Sequence, residues 1–230
     1  SHDLILDASL DPFTTWWHPG PAPAGGELFL QTSPEFGMKR LLAAGCGDIW
    51  QIARVYRDGE SGRWHNPEFT LIEWYRVGVD HHSLMSDVER LISAMLPPSR
   101  HFDSAERLTY REAVQLHAGI DAFHHPTAVL IARLESAGID VPRGVRDDRD
   151  ACLDLIMSTL VGPHLGRERL SFIYDYPASQ AALARVHGRI ASRFEAYFDG
   201  IELANGFHEL GAVPEQRARF TADLADRSPR

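Results

Sequence analysis

A glutamate within an aromatic strand pattern is the first residue that suggests chemistry. In the segment Glu68–Val77, alternation places Glu73 on the same strand face as Phe69 and Tyr75. An unpaired carboxylate is costly to bury beside apolar side chains, so Glu73 needs a cation, a hydrogen-bond network or solvent. The ammonium group of a ligand would supply the cation. A solvated strand face or an internal arginine pair remains an alternative.

Two further glutamates flank Asp199-Gly200, a dipeptide typical of two-residue hairpin turns. In such a hairpin Tyr197 faces Glu202, and Glu195 is the diagonal neighbour on the same side. Two negative charges this close repel each other, and a divalent cation between them would remove the repulsion. Carboxylate oxygens are the ligands that Mg²⁺ prefers. An exposed acidic pair without a metal is the alternative.

The segment that follows Glu202 carries two more polar side chains, Asn205 and Glu209. Simple alternation turns both of them to the face opposite Glu202. For all three to serve one pocket, the strand must contain a bulge or a bend. Asn205-Gly206 is a plausible position for it, because glycine within a strand often marks a bulge.

The polar connection between residues 57 and 66 contains groups suited to phosphate. Arg57 and Arg63 each carry a planar guanidinium, which can bind a phosphate through two parallel hydrogen bonds. His65 and Asn66 lie close to them in sequence. The sequence contains no GxxxxGK[ST] loop, and no GxGxxG follows a predicted strand. A Walker-type or Rossmann nucleotide site is therefore not expected.

Composition excludes several classes of protein. The net charge is −9 and Lys39 is the only lysine, which argues against broad binding to nucleic-acid backbones. No apolar run is long enough to cross a membrane and the first residues lack signal-peptide features, so we expect a cytoplasmic protein. Cys46 and Cys152 are expected to be free, buried small hydrophobes. The pairs His81-His82 and His124-His125 lack nearby ligands, so surface or helix-start roles are expected.

The elements that must position these residues form an α+β fold, with a mostly antiparallel sheet flanked by helices. Residues 1–26 are predicted to be irregular, with one short strand near 4–6. Strands are predicted at 27–32, 48–56, 68–77, 170–176, 194–198 and 201–207. Helices are predicted from the N-cap Ser33 to about Gly45, at 83–96, after the capping box at Thr109, and at 126–138, 148–161 and 215–227. Residues 100–165 are therefore expected to form a helical insertion.

Three segments together resemble the catalytic domain of class II lysyl-tRNA synthetases. The second of them resembles class II motif 2. The segments are Thr32–Glu35 with Met38–Leu41, Tyr56–Glu60 followed by His65–Tyr75, and Phe194-Glu195 with Glu202–Leu210. Their order and spacing cover about residues 3–227. The resemblance implies that residues 1–230 form one class II synthetase-type catalytic domain.

Within that family, the chain is most similar to the group that modifies elongation factor P. Ser33 stands where lysyl-tRNA synthetases usually carry Ala, and His208 stands where they usually carry Ser. The resemblance implies activation of lysine or (R)-β-lysine by ATP and Mg²⁺, followed by transfer to a lysine of elongation factor P. It also implies a homodimer and makes tRNA an unexpected acceptor. A lysyl-tRNA synthetase fragment and a non-catalytic ligand-binding relative are the alternatives.

The resemblance also assigns roles to residues. Arg57 would hold the α-phosphate as the catalytic residue, Phe69 would stack on adenine, and Glu195 and Glu202 would hold Mg²⁺. The full ATP-binding set would be Arg57, Asp58, Gly59, Glu60, His65, Asn66, Phe69, Glu202 and Leu203. The set that binds the amino acid would be Ser33, Pro34, Glu35, Glu73, Tyr75, Asn205 and Glu209.

Within that second set, the resemblance implies a different contact for each residue. Glu35 would meet the backbone-side amine of the substrate and Asn205 its carboxylate. Glu73, Tyr75 and Glu209 would meet the distal ammonium.

The chain departs from the family pattern at two places. Motif 2 usually carries a glutamate where this chain has Gly59, so either Glu60 or the backbone is expected to reach the adenine amino group. Motif 1 and motif 3 do not occur in these 230 residues. We therefore expect the full gene product to be longer, and a degraded paralogue is the alternative.

Overall fold

The polypeptide divides into two units that differ in secondary structure. The computed structural model describes residues 11–18, 25–59 and 61–226. Residues 1–78 and 217–230 form unit 1, and residues 79–216 form unit 2. The predicted strand near residues 4–6 lies outside the described residues.

Unit 1 is built from two antiparallel hairpins and a short helix. Strands β1 (Thr14–Trp17) and β2 (Gly26–Phe29) pair with each other, and β3 (Ile49–Tyr56) pairs with β4 (Glu68–Tyr75) along their whole length. Helix α1 (Glu35–Ala43) lies between these hairpins in sequence. The prediction missed β1, and the strand predicted at 27–32 ends earlier, at Phe29.

Helix α1 begins one residue later than predicted. Pro34 occupies the N-cap position, and the Ser33 hydroxyl accepts a hydrogen bond from the backbone N–H of Glu35 at 3.0 Å. Ser33 therefore still satisfies one of the free N–H groups of the first helical turn. This interaction also fixes the Ser33 side chain at the start of the helix.

Unit 2 contains a sheet that joins five of the described strands. These strands are β5 (Glu106–Thr109), β6 (Ser171–Pro177), β7 (Val186–His187), β8 (Ile190–Phe198) and β9 (Ile201–Phe207). Strand β8 pairs with β6, β7 and β9 in antiparallel fashion, whereas β5 pairs with β6 in parallel. The predicted α+β fold with a mostly antiparallel sheet is confirmed.

The helices of unit 2 fall close to the predicted positions, except for the short helix at Arg143–Arg146, which was not predicted. They are α2 (His81–Met95), α3 (Tyr110–Ala118), α4 (Thr127–Ser136), α5 (Arg143–Arg146) and α6 (Arg149–Ile156), and α6 continues into a π-helical turn at Met157–Val161. The capping box at Thr109 is present, with Glu112 as its second member. Helix α7 (Val213–Asp226) follows near the end of the chain. None of the described helices is long and apolar enough to cross a membrane.

The hydrophobic core lies in unit 2. Helix α3 packs on strand β6 and helix α4 packs on α6, and the side chains of Tyr110, Leu130, Leu153 and Ile173 are fully buried in one cluster. The prediction of a free, buried cysteine is confirmed for Cys152, which lies within the core. The prediction for Cys46 was wrong: this thiol is exposed between Gly45 and Gly47, two glycines with positive φ.

Candidate functional site

The Glu73 carboxylate of unit 1 lies in a hydrogen-bond network. The Ser33 hydroxyl donates to Glu73 Oε2 at 2.7 Å, and the Tyr75 hydroxyl donates to Glu73 Oε1 at 2.6 Å. Helix α1 begins just after Ser33, while Glu73 and Tyr75 point to one face of β4, so two elements build the network. Both hydroxyl donors are neutral, and they satisfy the carboxylate without adding positive charge. The sequence left a cation, a hydrogen-bond network or solvent as possible partners of Glu73, and the structure confirms the hydrogen-bond network.

A second carboxylate of unit 1 binds an ammonium group. Lys39 Nζ lies 2.5 Å from Glu35 Oε1, and both side chains are mostly buried. The same Nζ lies 6.0 Å from the centre of the Tyr75 ring. Sequence reasoning missed this pair, although two residues four positions apart on a helix face each other. Any amine that binds Glu35 must therefore share this carboxylate with Lys39.

The predicted phosphate-binding arginine lies at the end of β3. The Arg57 guanidinium lies 4.9 Å from the centre of the Phe69 ring, and its Nε donates to the Thr32 carbonyl at 3.3 Å. The Arg57 backbone N–H donates to the Pro67 carbonyl at 2.9 Å, which closes the loop between β3 and β4. The structure thus brings Arg57 and Phe69 together.

The other loop residues predicted to bind ATP lie in a turn at the protein surface. The Gly59 backbone N–H donates to Asp58 Oδ1 at 2.9 Å, and Gly59 has a φ of 78° that favours glycine. His65 and Asn66 are exposed. Glu60 lies outside the described residues. The local reason for Gly59 in place of the family glutamate is therefore the conformation of this turn.

In unit 2, the hairpin of β8 and β9 contains the bulge that the sequence required. Tyr197 faces Glu202, as predicted, and Glu195 faces Asn205. Between these pairs Leu203 has no partner on β8, so the bulge lies there rather than at Asn205-Gly206. The extra residue shifts the alternation by one position, and Glu202 and Asn205 therefore share one face of the sheet.

Gly206 has a packing role instead. A Cβ atom at this position would lie 2.7 Å from the Phe194 ring. The ring of Phe194 therefore covers the strand where a side chain would otherwise stand, and only glycine fits.

Glu195 is a buried carboxylate with two strong donors. It is 8% exposed, its Oε1 accepts a hydrogen bond from Arg193, and its Oε2 accepts one from the Tyr197 hydroxyl at 2.5 Å. Arg193 is in turn held by the Gln180 carbonyl at 3.1 Å and lies 4.6 Å from the centre of the Tyr176 ring. The sequence analysis missed Arg193. Strand alternation contained the signal, because residues 193 and 195 point to the same face.

The electrostatics of this group keep Arg193 charged and the tyrosines protonated. Burial alone would lower the pKa of Arg193, but Glu195 and Tyr176 more than offset this, so its pKa is raised. Burial raises the pKa of Tyr197, and the negative charges of Glu195 and Glu202 raise it further. The Tyr197 hydroxyl is therefore a stable hydrogen-bond donor to Glu195.

Glu195 and Glu202 fit a magnesium ion only if other groups complete its coordination. A carboxylate has about four lone-pair positions, so Glu195 retains acceptor capacity beside its two donors. Glu202 is exposed on the same face, which gives an ion access. Among the described residues, no group of three or more His, Cys, Asp or Glu side chains is arranged to hold a metal. The pair therefore suits an ion that brings phosphate and water oxygens with it.

The remaining predicted residues of unit 2 follow the bulge. Asn205 is exposed on β9 opposite Glu195. Glu209 is half-buried just beyond β9, where its backbone bridges to Ala184 and its carbonyl accepts a hydrogen bond from Arg185 Nε at 3.0 Å. The structure thus fixes the backbone of Glu209 next to the sheet.

Comparison with known proteins gives consistent matches. Residues 10–229 match the family described as tRNA synthetases class II (D, K and N). The chain is 46% identical over 231 aligned positions to a protein of Vibrio cholerae named elongation factor P–(R)-β-lysine ligase, covering 99% of this chain and 70% of that protein. A protein of the same name from Sodalis glossinidius is 46% identical, covering 97% of this chain and 68% of the relative.

A third relative with this name, from Salmonella arizonae, is 44% identical over 236 aligned positions, covering 100% of this chain and 70% of the relative. The family match spans nearly all of the chain, and these identities extend over the same residues. The chain therefore belongs to the class II tRNA synthetase family (D, K and N).

Proposed function

We propose that the protein is an ATP-dependent ligase that activates lysine or (R)-β-lysine and transfers it to a lysine side chain of elongation factor P. The observation that carries this proposal is the 46% identity, over 99% of the chain, to a relative named for that reaction. The carboxylates of both units support it. Acidic side chains can bind the ammonium groups of a diamino acid, and they can bind the magnesium ion that accompanies a nucleotide.

In the first step, the carboxylate of the amino acid attacks the α-phosphate of ATP, and pyrophosphate leaves. Arg57 is proposed to hold the α-phosphate and to stabilise the charge that develops on it. Asp58, Gly59, Glu60, His65 and Asn66 belong to the same nucleotide-binding loop in this proposal, and Phe69 stacks on adenine. This chemistry depends on positioning and charge neutralisation, so we expect no covalent enzyme intermediate.

The amino acid is proposed to bind through its two amines and its carboxylate. Glu73, held by Ser33 and Tyr75, would bind the distal ammonium. Glu35 would bind the backbone-side amine, with Pro34 fixing the start of α1, and Asn205 would bind the carboxylate. The network at Glu73 supports this, because its two donors are neutral hydroxyls and neither of them brings a positive charge to the carboxylate.

Glu195 and Glu202 are proposed to hold Mg²⁺ together with the ATP phosphates, and Leu203 lies beside them at the bulge. The ion would neutralise phosphate charge when bound. The protein's own contribution is to hold both carboxylates on one face of the hairpin.

In the second step, the amine of the acceptor lysine attacks the carbonyl carbon of the adenylate and AMP leaves. This step forms an amide bond on elongation factor P. We propose that tRNA is not the acceptor.

The test separates activation from transfer. ATP–pyrophosphate exchange dependent on lysine or (R)-β-lysine is expected, followed by incorporation of the labelled amino acid into elongation factor P. Incorporation into tRNA alone would identify a lysyl-tRNA synthetase fragment. Absence of exchange with either amino acid would identify a non-catalytic relative.

We also propose that the protein acts in the cytoplasm as a homodimer, with residues 1–230 as one catalytic domain and residues 100–165 as its helical insertion. Exposed apolar side chains in unit 1 support the dimer: Trp50 is 71% exposed and Ile52 58% exposed on one face of the hairpin formed by β3 and β4. Sedimentation equilibrium should give twice the chain mass of 25.7 kDa, and a monomer would reject this part.

A further inference from the structure

Helix α6 is hydrogen-bonded to the short 3₁₀ turn Ala178–Gln180, which precedes strands β7 and β8. Asp150 and Asp154 are four positions apart on α6, so both point to one side of the helix. The Ser179 hydroxyl donates to Asp150 Oδ1 at 2.8 Å. Gln180 Nε2 donates to Asp154 Oδ1 at 2.7 Å. Two neighbouring residues of the turn are therefore tied to one helix.

The same turn holds the guanidinium that binds Glu195. The main-chain carbonyl of Gln180 accepts a hydrogen bond from Arg193 Nη1 at 3.1 Å, and Glu195 Oε1 accepts one from Nη2. The Tyr176 ring lies 4.6 Å from the guanidinium carbon. Hydrogen bonds thus link helix α6, through the turn and Arg193, to one oxygen of Glu195.

The second donor of Glu195 is also linked to this helix. Glu195 Oε2 accepts a hydrogen bond from the Tyr197 hydroxyl at 2.5 Å. Helix α6 continues into the π-helical turn Met157–Val161, and Tyr197 Cε1 lies 3.8 Å from the position that a Cβ atom on Gly162 would take. The backbone that follows the π-helical turn therefore packs on the Tyr197 ring. Such turns are frequent at functional sites.

The position of Arg193 matters because several carboxylates attract it. Glu195 does so through a direct hydrogen bond, and Glu202 and Asp154 do so through their charges. A planar guanidinium binds its acceptors in fixed directions, so the Gln180 carbonyl favours the orientation that faces Glu195. The Arg193 side chain is 20% exposed and that of Glu195 is 10% exposed, so water competes little for their hydrogen bond.

We propose that Asp154 and Gln180 are positioning residues, through which helix α6 holds Arg193 against Glu195 in the site for ATP. The proposal rests on the function proposed above and deepens it, because it gives the helical insertion at 100–165 a role in that site. Groups that hold a metal ligand from behind orient it, and their loss typically lowers affinity or activity about 10–100-fold. A merely structural pair would stabilise the fold without favouring one substrate over the other.

The test compares ligand affinities of the full chain by isothermal titration calorimetry. Asp154→Ala and Gln180→Ala should each lower the affinity for a non-hydrolysable ATP analogue with Mg²⁺ about tenfold. The affinity for lysine should stay unchanged, because neither variant alters a residue proposed to bind the amino acid. The double variant should lose no more than either single variant, since the two side chains act through one hydrogen bond.

Asp154→Asn separates the hydrogen bond from the charge. An asparagine keeps an oxygen that can accept from Gln180, so this variant should bind the ATP analogue like wild type. The control is Glu135→Ala, which removes a carboxylate that pairs with Arg146 at 2.5 Å in the same insertion. It should change neither affinity.

Nuclear magnetic resonance of the Arg193 guanidinium tests the same chain of hydrogen bonds without any ligand. Because Gln180 and Glu195 hold different Nη atoms, rotation should be slow and the two atoms should give separate signals, assigned by their loss in Arg193→Lys. In Asp154→Ala the rotation should be faster and the signals should merge. If wild type binds no ATP analogue but its signals merge in Asp154→Ala, the proposed function is rejected and the link from α6 to Arg193 stands.

Three results would overturn the proposal. One is an unchanged affinity for the ATP analogue in both alanine variants. Another is equal loss of affinity for the analogue and for lysine, which would indicate a general loosening of the fold. The third is a loss in Asp154→Asn as large as that in Asp154→Ala, which would show that the charge acts and the hydrogen bond does not.

Discussion

At the scale of single residues, two glutamates with similar sequence surroundings have different partners. Glu73 accepts hydrogen bonds from the neutral hydroxyls of Ser33 and Tyr75, whereas Glu195 accepts one from the charged guanidinium of Arg193. The printed donors to the first carboxylate are neutral hydroxyls, whereas the second is paired with a cation of the protein itself. The sequence predicted that Glu73 needs partners, but Ser33 lies 40 positions away. Only the fold shows which residue supplies the hydroxyl.

The substitution Glu73→Gln should weaken binding of lysine or (R)-β-lysine much more than binding of ATP. It removes the charge that faces the ammonium, and loss of such a partner costs about 2–5 kcal/mol. Isothermal titration calorimetry with each ligand measures both affinities.

The matched control for this change is Glu68→Gln on the same strand. Glu68 pairs with Arg54 at 2.7 Å, and both side chains are exposed, so the control should change neither affinity. Equal weakening of amino-acid and ATP binding in Glu73→Gln would contradict the assigned role.

At the scale of elements, the bulge in β9 determines which residues can act together. Side chains alternate between the two faces along the strand that follows Asp199-Gly200. Glu202 and Asn205 could therefore share a face only if this strand contained an irregularity. The sequence could not locate it, because Gly206 carries the usual signal for a bulge while the unpaired residue is Leu203. Gly206 is glycine for another reason, which is the Phe194 ring that covers it.

Gly206→Ala should therefore destabilise the hairpin of β8 and β9. The added methyl group would lie 2.7 Å from the Phe194 ring, and the ring must move within a packed core. Such overpacking costs about 1–3 kcal/mol in free energy of unfolding, measured by urea denaturation. Gly144→Ala in α5 of the same unit meets no atom within 4 Å and should be close to neutral. Equal stability of the two variants would show that Phe194 does not constrain this strand.

The start of helix α3 should make stability depend on pH. Hydrogen bonds from the Thr109 backbone N–H and hydroxyl lower the pKa of Glu112, so the folded protein favours its ionised form. This contribution is present above the usual pKa of a glutamate and is lost as the pH falls through the lowered pKa.

Thr109→Ala should reduce the free energy of unfolding by about 0.5–2 kcal/mol at neutral pH, since the capping box is lost. The difference from wild type should shrink in acid, where Glu112 is protonated in both proteins. Urea denaturation across this pH range measures the difference. A gap of constant size would mean that the carboxylate does not take part in the cap.

At the scale of the whole molecule, the sequence predicted the elements with strong periodicity and missed those fixed by distant pairing. The long strands β3, β4, β8 and β9 and the capping box at Thr109 were predicted. The missed strands β1, β5 and β7 have at most four residues each, too few for alternation to be visible. Strand β5 pairs with β6, and Ser171 contacts Glu106 across 65 positions, so no local signal marks it.

Burial is also distributed unequally between the two units. In unit 2, side chains from helices α3, α4 and α6 and from strands β6 and β8 are fully buried in one cluster. Among the described apolar side chains of unit 1, only Pro34, Met38, Ala53 and Val55 are buried, while Trp16 and Trp50 are more than half exposed. Since burial of apolar surface is the main favourable contribution to folding, the units should differ in their own stability.

We therefore expect residues 79–216 to fold without unit 1. This fragment contains every residue of the main core cluster, so it should unfold in one cooperative transition and give dispersed amide signals in nuclear magnetic resonance spectra. Residues 1–78 alone should show no sharp thermal transition in circular dichroism, because the described residues among them bury few apolar side chains. The full chain serves as the control. A fragment 79–216 that melts without cooperativity would show that this cluster of buried side chains does not suffice to stabilise the sheet that carries Glu195 and Glu202.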